Sequence, residues 1–303
     1  MTRRGWVLFA TMALIWGIPY LFIKIAVGEL TPATLVFLRT AIGTVLLLPL
    51  AATRKELTPL ARHWKWILIY TFVEVAAPWF LLSDAERRIS SSLTGLLIAA
   101  TPSLGAILAW ATSGQDRLDR RRIVGLAVGF VGVAALVGLD FGTNDLSAVG
   151  EVLLVALGYA SGATIISRKL STLPSLGVVA ASLAITALVY GPVGIAQLPP
   201  TLPSPAIVFA VAVLSVVCTA LAFVLFFALI AEAGSARATV ITYVNPAVAL
   251  ALGVALLNEP LTVGIASGFV LIVLGSILAT RRAPPSNSEP LTQELARPIR
   301  SSP

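Results

Sequence analysis

Two stretches of the chain decide its fold: SSLTGLLIAATPSLGAILAWAT at residues 91–112 and SARATVITYVNPAVALALGVALL at residues 235–257. Each is an apolar run of membrane-spanning length with one proline near its middle. Pro102 follows Thr101 in the first and Pro246 follows Asn245 in the second, 144 positions on. A proline inside a helix has no N–H to donate and crowds the carbonyl four residues back, here that of Ile98 or Thr242. Hydrocarbon offers those carbonyls no partner, so both interruptions must face protein or a water-filled cavity.

Around these segments the chain of 303 residues is 57% hydrophobic and 12% charged, with a mean hydropathy of +0.94. A soluble domain carries about 25% charged residues. Apolar runs of roughly 20 residues, each long enough to cross a bilayer, recur from end to end. Ten are read, at about 5–27, 32–51, 65–83, 91–112, 123–139, 148–167, 174–197, 206–230, 236–257 and 262–280. The first, preceded by Arg3 and Arg4, resembles a secretion signal, but it runs past Ala26 without a small-residue cleavage site and is read as a span. The sequence therefore predicts an all-α polytopic membrane protein with ten transmembrane helices. Cys218, the one cysteine, falls inside the eighth span and reads as a small buried hydrophobe.

The net charge of +7 is a matter of topology and predicts no nucleic-acid partner. With an even number of spans, fifteen of the 21 Lys and Arg flank one side of the bilayer, and only Arg87 and Arg88 flank the other. The positive-inside bias then predicts both termini in the cytoplasm of a bacterium, with the protein in its plasma membrane. Residues 283–303, rich in Pro and Ser and without apolar periodicity, read as a disordered cytoplasmic tail.

The ten spans divide at the acidic connector 138–147, giving a first repeat at 1–140 and a second at 148–282. Pro32, which opens span two, matches Pro174 at the start of span seven. The Pro102 helix matches the Pro246 helix. Spans five and ten both carry GxxxG, as Gly125/Gly129 and Gly264/Gly268, and these glycines predict either close packing of the two spans or a dimer face. Because five is odd, the second repeat enters the membrane in the opposite sense. Two inverted five-helix repeats with matched interrupted helices are the construction by which many carriers place a binding site at the midplane.

The run CTALAFVLFFALIAEAGSARATVITYVNPAVALALGVALLNEPLT at 218–262 resembles the second repeat of the EamA-type transporters of the drug/metabolite transporter superfamily. The first repeat fits through Trp16-Gly17, Lys24, Leu38-Arg39 and TPSLGAILAW, so the resemblance covers about residues 8–280. It implies a ten-helix inner-membrane carrier whose central cavity is lined by spans one, three and four of each half. It also implies small metabolites, amino acids or drugs as substrates, and export as the direction. One departure is visible: the acidic residue after the proline helix is Glu259 in the second half, but Gln115, beside Asp116, in the first.

Within the spans, Glu74 lies midway along span three and Arg39 eight residues into span two. A charge at the bilayer centre costs roughly 2.5–3.5 kcal/mol on insertion scales, so such residues usually face a cavity. Glu74 is a candidate to exchange a proton or pair with a substrate amine, and otherwise to lock helices together. Arg39 is a candidate for a substrate carboxylate or for an ion pair with Glu74. Lys24, near the outer end of span one, is expected to snorkel to the headgroups. Trp16, Tyr20, Trp79, Tyr159 and Tyr243 supply aromatic surface at depths that suit cavity walls. Trp6, Trp64 and Trp66 read as interfacial anchors. Thr101 and Asn245, beside Pro102 and Pro246, are candidates for satisfying the freed backbone or touching a ligand.

Nothing in the chain points to bond-breaking chemistry, a metal or a cofactor: the only histidine, His63, sits in a basic loop, and no metal-ligand spacing or phosphate loop appears. The expectation is a secondary active transporter working by alternating access and coupled to protons. Its partners are a zwitterionic or aromatic small molecule, protons and the lipid bilayer, and it acts as a monomer or homodimer. An uncoupled exchanger or uniporter is the nearer alternative. A membrane-embedded enzyme or scaffold is the more distant one.

Overall fold

A computed structural model describes residues 1–113, 120–138, 145–234, 238 and 240–280. Gln115 and Asp116, the connector at 139–144 and the tail expected at 283–303 lie outside the described residues. Every described element is helical. The first span is α1 (Arg3–Ile15) and α2 (Pro19–Ala26), and the second is α3 (Pro32–Thr53). A 3-10 turn (Thr58–His63) leads into the third, which is α4 (Trp64–Tyr70), a π-helical turn (Thr71–Ala76) and α5 (Ala77–Arg88). The fourth is α6 (Ser91–Ile98) and α7 (Thr101–Ser113), and the fifth is α8 (Arg120–Gly138). The second half runs through α9 (Leu146–Ile165) with a π-helical end (Ile166–Leu170) and α10 (Ser175–Ala196). Its third span is α11 (Pro205–Ala212), a π-helical stretch (Val213–Leu221) and α12 (Ala222–Ala233). It finishes with α13 (Ile241–Leu257) and α14 (Val263–Thr280). Among the described residues eight helical runs are long and apolar enough to cross a membrane. The shorter α13 and the arginine-headed α8 bring the passes to ten.

The packing carries a twofold pattern. α3 lies along α10, α6 along α13 and α8 along α14, so spans two and seven, four and nine, and five and ten each meet their own counterpart. The remaining pairs, α1 with α12 and α5 with α9, interchange when the halves are exchanged. The pairs run antiparallel. Thr34 donates to the Gly194 carbonyl while Gly177 N–H donates to Glu56 at the other end of the same pair. Gly125 faces Ala279 while Gly268 faces Gly132. Antiparallel counterparts are what inversion in the membrane plane requires.

Spans five and ten pack on one another, which decides between the two uses of their glycines. A Cβ on Gly275 would sit 2.6 Å from the Gly125 carbonyl oxygen, and one on Gly132 would sit 2.7 Å from the Ile272 nitrogen. The seam is therefore backbone against backbone, and it recruits Gly132 and Gly275 from outside the GxxxG pairs. Between helices in lipid such contact replaces the hydrophobic drive that water supplies elsewhere.

The two proline helices are not broken alike, against the expectation of matched interruptions. The first stops at Ile98 and restarts at Thr101, with Ala99 and Ala100 bonding three residues back to Leu96 and Leu97. The Thr101 hydroxyl donates to the Ile98 carbonyl at 2.7 Å, and Ser276 of α14 donates to the Ala99 carbonyl at 2.9 Å. The second helix runs unbroken through Pro246. With its amide nitrogen turned inward, Asn245 donates to Ile241 and Ala13 carbonyls at 2.9 and 3.1 Å. The difference follows from the neighbours: at the GxxxG offset, Ser276 corresponds to position 137, a valine. A further interruption, missed in the sequence, divides span one ahead of Pro19. There Gly17 approaches so closely that a Cβ would sit 2.5 Å from Val248 Cγ1.

At the end of the bundle where α5 turns into α6, Arg88 joins the halves. Its Nη1 meets Asp145 at 3.2 Å and Ser147 at 2.5 Å, and its Nη2 meets Asp84 at 2.7 Å and Glu151 at 2.6 Å. Asp145 caps α9, and the Ser147 hydroxyl, the Ala148 amide and Arg88 together push its carboxyl down to about 2.

Two outcomes follow. Gly275→Val should destabilise the detergent-solubilised protein by about 1–3 kcal/mol, read as a lower melting temperature, whereas Gly150→Ala, with nothing within 4 Å, should leave it unchanged. Because the folded-state acidity of Asp145 is increased, its contribution is complete above about pH 4 and lost as pH falls towards 2. The melting temperatures of wild type and Asp145→Asn should therefore differ at pH 7 and at pH 5 and converge near pH 2.

Candidate functional site

Spans three and eight, exchanged by the twofold, each contain a π-helical segment at the depth of Arg39. Such segments widen a helix by one residue, re-aim its side chains and are frequent at functional sites. In span three the segment is pinned to α10 at both ends: Thr71 donates to Ser182 at 2.9 Å, and Tyr190 donates to the Ala76 carbonyl at 3.0 Å. In span eight Thr219 donates to the Leu214 carbonyl five residues back, at 2.8 Å. That leaves the Thr219 oxygen aimed at the bundle interior as an acceptor.

Arg39 of α3 uses it. Its Nε donates to Thr219 at 2.9 Å, and its guanidinium carbon lies 3.7 Å from the centroid of the Trp79 ring on α5. The residue is 7% exposed, and among the described residues no carboxylate comes within 4.0 Å of it. A desolvated cation–π contact is worth about 2 kcal/mol, and a hydrogen bond from a charged donor about 1.5–3. Together they offset the roughly 2.5–3.5 kcal/mol of insertion, so the cation is held without a counter-ion. Nη1 and Nη2 have no hydrogen-bond acceptor among the described residues. The Arg39–Glu74 pair weighed from the sequence does not form.

Glu74 belongs to the same π-helical turn but points elsewhere, against Gly162 of α9, where a Cβ would collide with its carboxylate. Its Oε2 is buried and has no donor among the described residues. Tyr159, one turn before Gly162, is within electrostatic reach of both Glu74 and Arg39 and packs in the cluster that holds Trp79. Tyr20 of α2 is buried and within electrostatic reach of Arg39. The structure thus brings Arg39 and Trp79 into contact, with Tyr159 in the same cluster as Trp79 and the buried Tyr20 within electrostatic reach.

Other expected residues stand further off. Trp16 packs between Phe223 and Phe226, 6.2 and 4.5 Å between ring centroids, at the seam of spans one and eight. Tyr243 bonds Thr280 at 2.8 Å and ties span nine to span ten. Thr101 and Asn245 serve the backbone, as described above.

The end of the bundle near Arg88 holds what sequence reasoning missed. Lys24 does not snorkel; its Nζ donates to the carbonyls of Glu86 and Ile89 at 2.6 and 2.8 Å, closing the C-terminal end of α5. Its short distance from the end of span one left room for that alternative, because a helix C-terminus attracts a cation. Glu259 accepts from Ser91 N–H at 2.7 Å and Ser92 N–H at 2.9 Å, and from both serine hydroxyls, capping α6 from the other half. Glu86 is fully buried, and neither carboxylate oxygen has a donor among the described residues. It lay hidden in the charged string SDAERR, which reads as an outer rim. Its spacing of seven from Trp79, two helical turns, was the available signal.

The EamA-like transporter family matches residues 3–138 and again residues 146–281. The chain is 23% identical over 287 residues to the uncharacterized transporter YvbV of Bacillus subtilis (strain 168), covering 92% of each chain. It is 23% identical over 292 residues to an uncharacterized transporter of Archaeoglobus fulgidus, covering 92% of this chain and 99% of that one. A crystal structure at 20% identity superposes with a TM-score of 0.65 over 92% of this chain and 97% of the other, a likeness of fold. A family match that spans both repeats, on a polytopic helical bundle with the interruptions described, makes this chain a member of the EamA-like transporter family.

Proposed function

We propose that the chain is a secondary active transporter that carries a small organic solute across the bacterial plasma membrane by alternating access, outward and in exchange for protons. The observation that carries this reading is Arg39: a buried cation without a counter-ion, bonded across the seam of the two halves to Thr219 and stacked on Trp79. An ion held in this way is ready for an anionic group that arrives and leaves. Rocking of the halves about the midplane, where Pro19 and Pro102 interrupt the helices, would open the site to one side at a time. The inner ends of the spans carry most of the Lys and Arg, which favours cytoplasmic termini.

Glu74 is the proton carrier in this reading, because its carboxylate oxygen is buried beside Tyr159 without a donor among the described residues. One proton moved through 100 mV supplies about 2.3 kcal/mol, enough for a gradient of nearly fiftyfold. An uncoupled exchanger would have the same Arg39 site and a structural Glu74. With a solute found by thermal-shift screening, Arg39→Gln should cut exchange across proteoliposomes by at least about tenfold. Glu74→Gln should abolish transport driven by a pH gradient and leave counterflow intact. Unchanged pH-driven transport in Glu74→Gln would leave the uncoupled exchanger as the reading.

A further inference from the structure

Arg39 is not the only buried ionic group without a counter-ion within 4.0 Å among the described residues. Glu86 is fully buried, neither carboxylate oxygen has a side-chain donor among the described residues, and the cations that act on it are Lys24 first and then Arg39, each more than 4.0 Å from the carboxylate. The other ionisable groups facing Glu86 are Lys24 and Tyr20 of α2, Tyr159 of α9 and Glu259 beyond α13. Two of them are engaged: Lys24 holds backbone carbonyls, and Glu259 holds Ser91 and Ser92. What is left is a guanidinium edge and a carboxylate without hydrogen-bond partners among the described residues, with Tyr20 buried nearby and Tyr159 packed in the cluster that holds Trp79.

Geometry fixes their relation. The guanidinium lies over Trp79, and Glu86 follows Trp79 by seven residues on the regular helix α5, hence on the same face and about 10 Å along the axis. Side chains of one helix lean alike toward its N-terminus, so Trp79 and Glu86 stay in register on that face. Opposite charges brought close, left unjoined and shielded from solvent lower their energy by sharing a bridging ligand.

We propose that Arg39 and Glu86 are the two poles of the solute site, which takes an amino carboxylic acid whose ammonium and carboxylate are several bonds apart. The carboxylate meets the Arg39 guanidinium edge, the ammonium meets Glu86, and Tyr20 and Tyr159 flank the chain between. This rests on the carrier reading above and names the chemistry of its site. Glu86 makes the difference between a carrier of simple carboxylates and one that requires both charges.

The test uses the full-length protein in proteoliposomes with glycine, β-alanine, γ-aminobutyrate and 5-aminopentanoate as probes, and butyrate and butylamine as single-charge controls. Binding of each probe to purified protein is followed in parallel by thermal shift. Wild type should exchange one of the longer amino acids at least about tenfold faster than butyrate or butylamine. Glu86→Gln should bring that amino acid down to the butyrate rate. Glu86→Asp, which withdraws the carboxylate by one methylene, should move the preference to the next longer probe, and it keeps the test alive if Glu86→Gln does not fold. Retention of the amino-acid preference in Glu86→Gln, or equal exchange of butyrate and γ-aminobutyrate by wild type, would overturn the two-pole site while leaving a carrier. Thermal stabilisation by the longer amino acids without exchange of any probe would uphold the site and overturn the carrier reading. Neither binding nor exchange of any probe would overturn the site.

Discussion

A backbone carbonyl without a partner has nowhere to turn inside hydrocarbon, and this constraint organises the molecule. Four departures from regular helix are answered by a named donor. Thr101 and Ser276 cover the carbonyls at the Pro102 break, Asn245 reaches Ile241 and Ala13, Tyr190 covers Ala76, and Thr219 covers Leu214. Several of these donors come from a different span from the carbonyl they serve. The carbonyls freed by these departures are thereby satisfied within the protein, as hydrocarbon requires.

Arg39 depends on that arrangement. The π-helical stretch of span eight presents Thr219 to the guanidinium, and the one in span three precedes Trp79, on which it stacks. A regular helix through either segment would turn those side chains by about 100°. The polar centre is thus a product of two local widenings that the twofold relates, even though the residues they present, Glu74 on one side and Thr219 on the other, differ in charge.

The coarse architecture was open to reading from the sequence, because span length, charge bias and the proline repeats are properties of local composition. The helix ends fall within a few residues of the apolar runs for most spans, and the GxxxG spans do meet. Three things were hidden, each for a physical reason. The π-helical turns leave no sequence signature, since Thr71–Ala76 and Val213–Leu221 are as apolar and helix-compatible as their flanks. The unequal proline breaks depend on Ser276, a residue of another span. Glu86 looked like rim because charge near a helix end is normally solvated, whereas the packing of α2, α6 and α9 around α5 removes it from water. Its spacing from Trp79 could have been read, whereas the absence of a donor could not.

Ser276 has a consequence for ancestry. A half-length chain could build such an inverted pair with its own copy only if the two halves were interchangeable. Here the hydroxyl that covers Ala99 comes from one half alone, since the residue at position 137 is a valine. A pairing of two first halves would leave both Pro102 breaks without that donor. A pairing of two second halves would keep the donor and have no interrupted proline helix to serve. Each half is now fitted to the other's departures, so the fusion is no longer reversible.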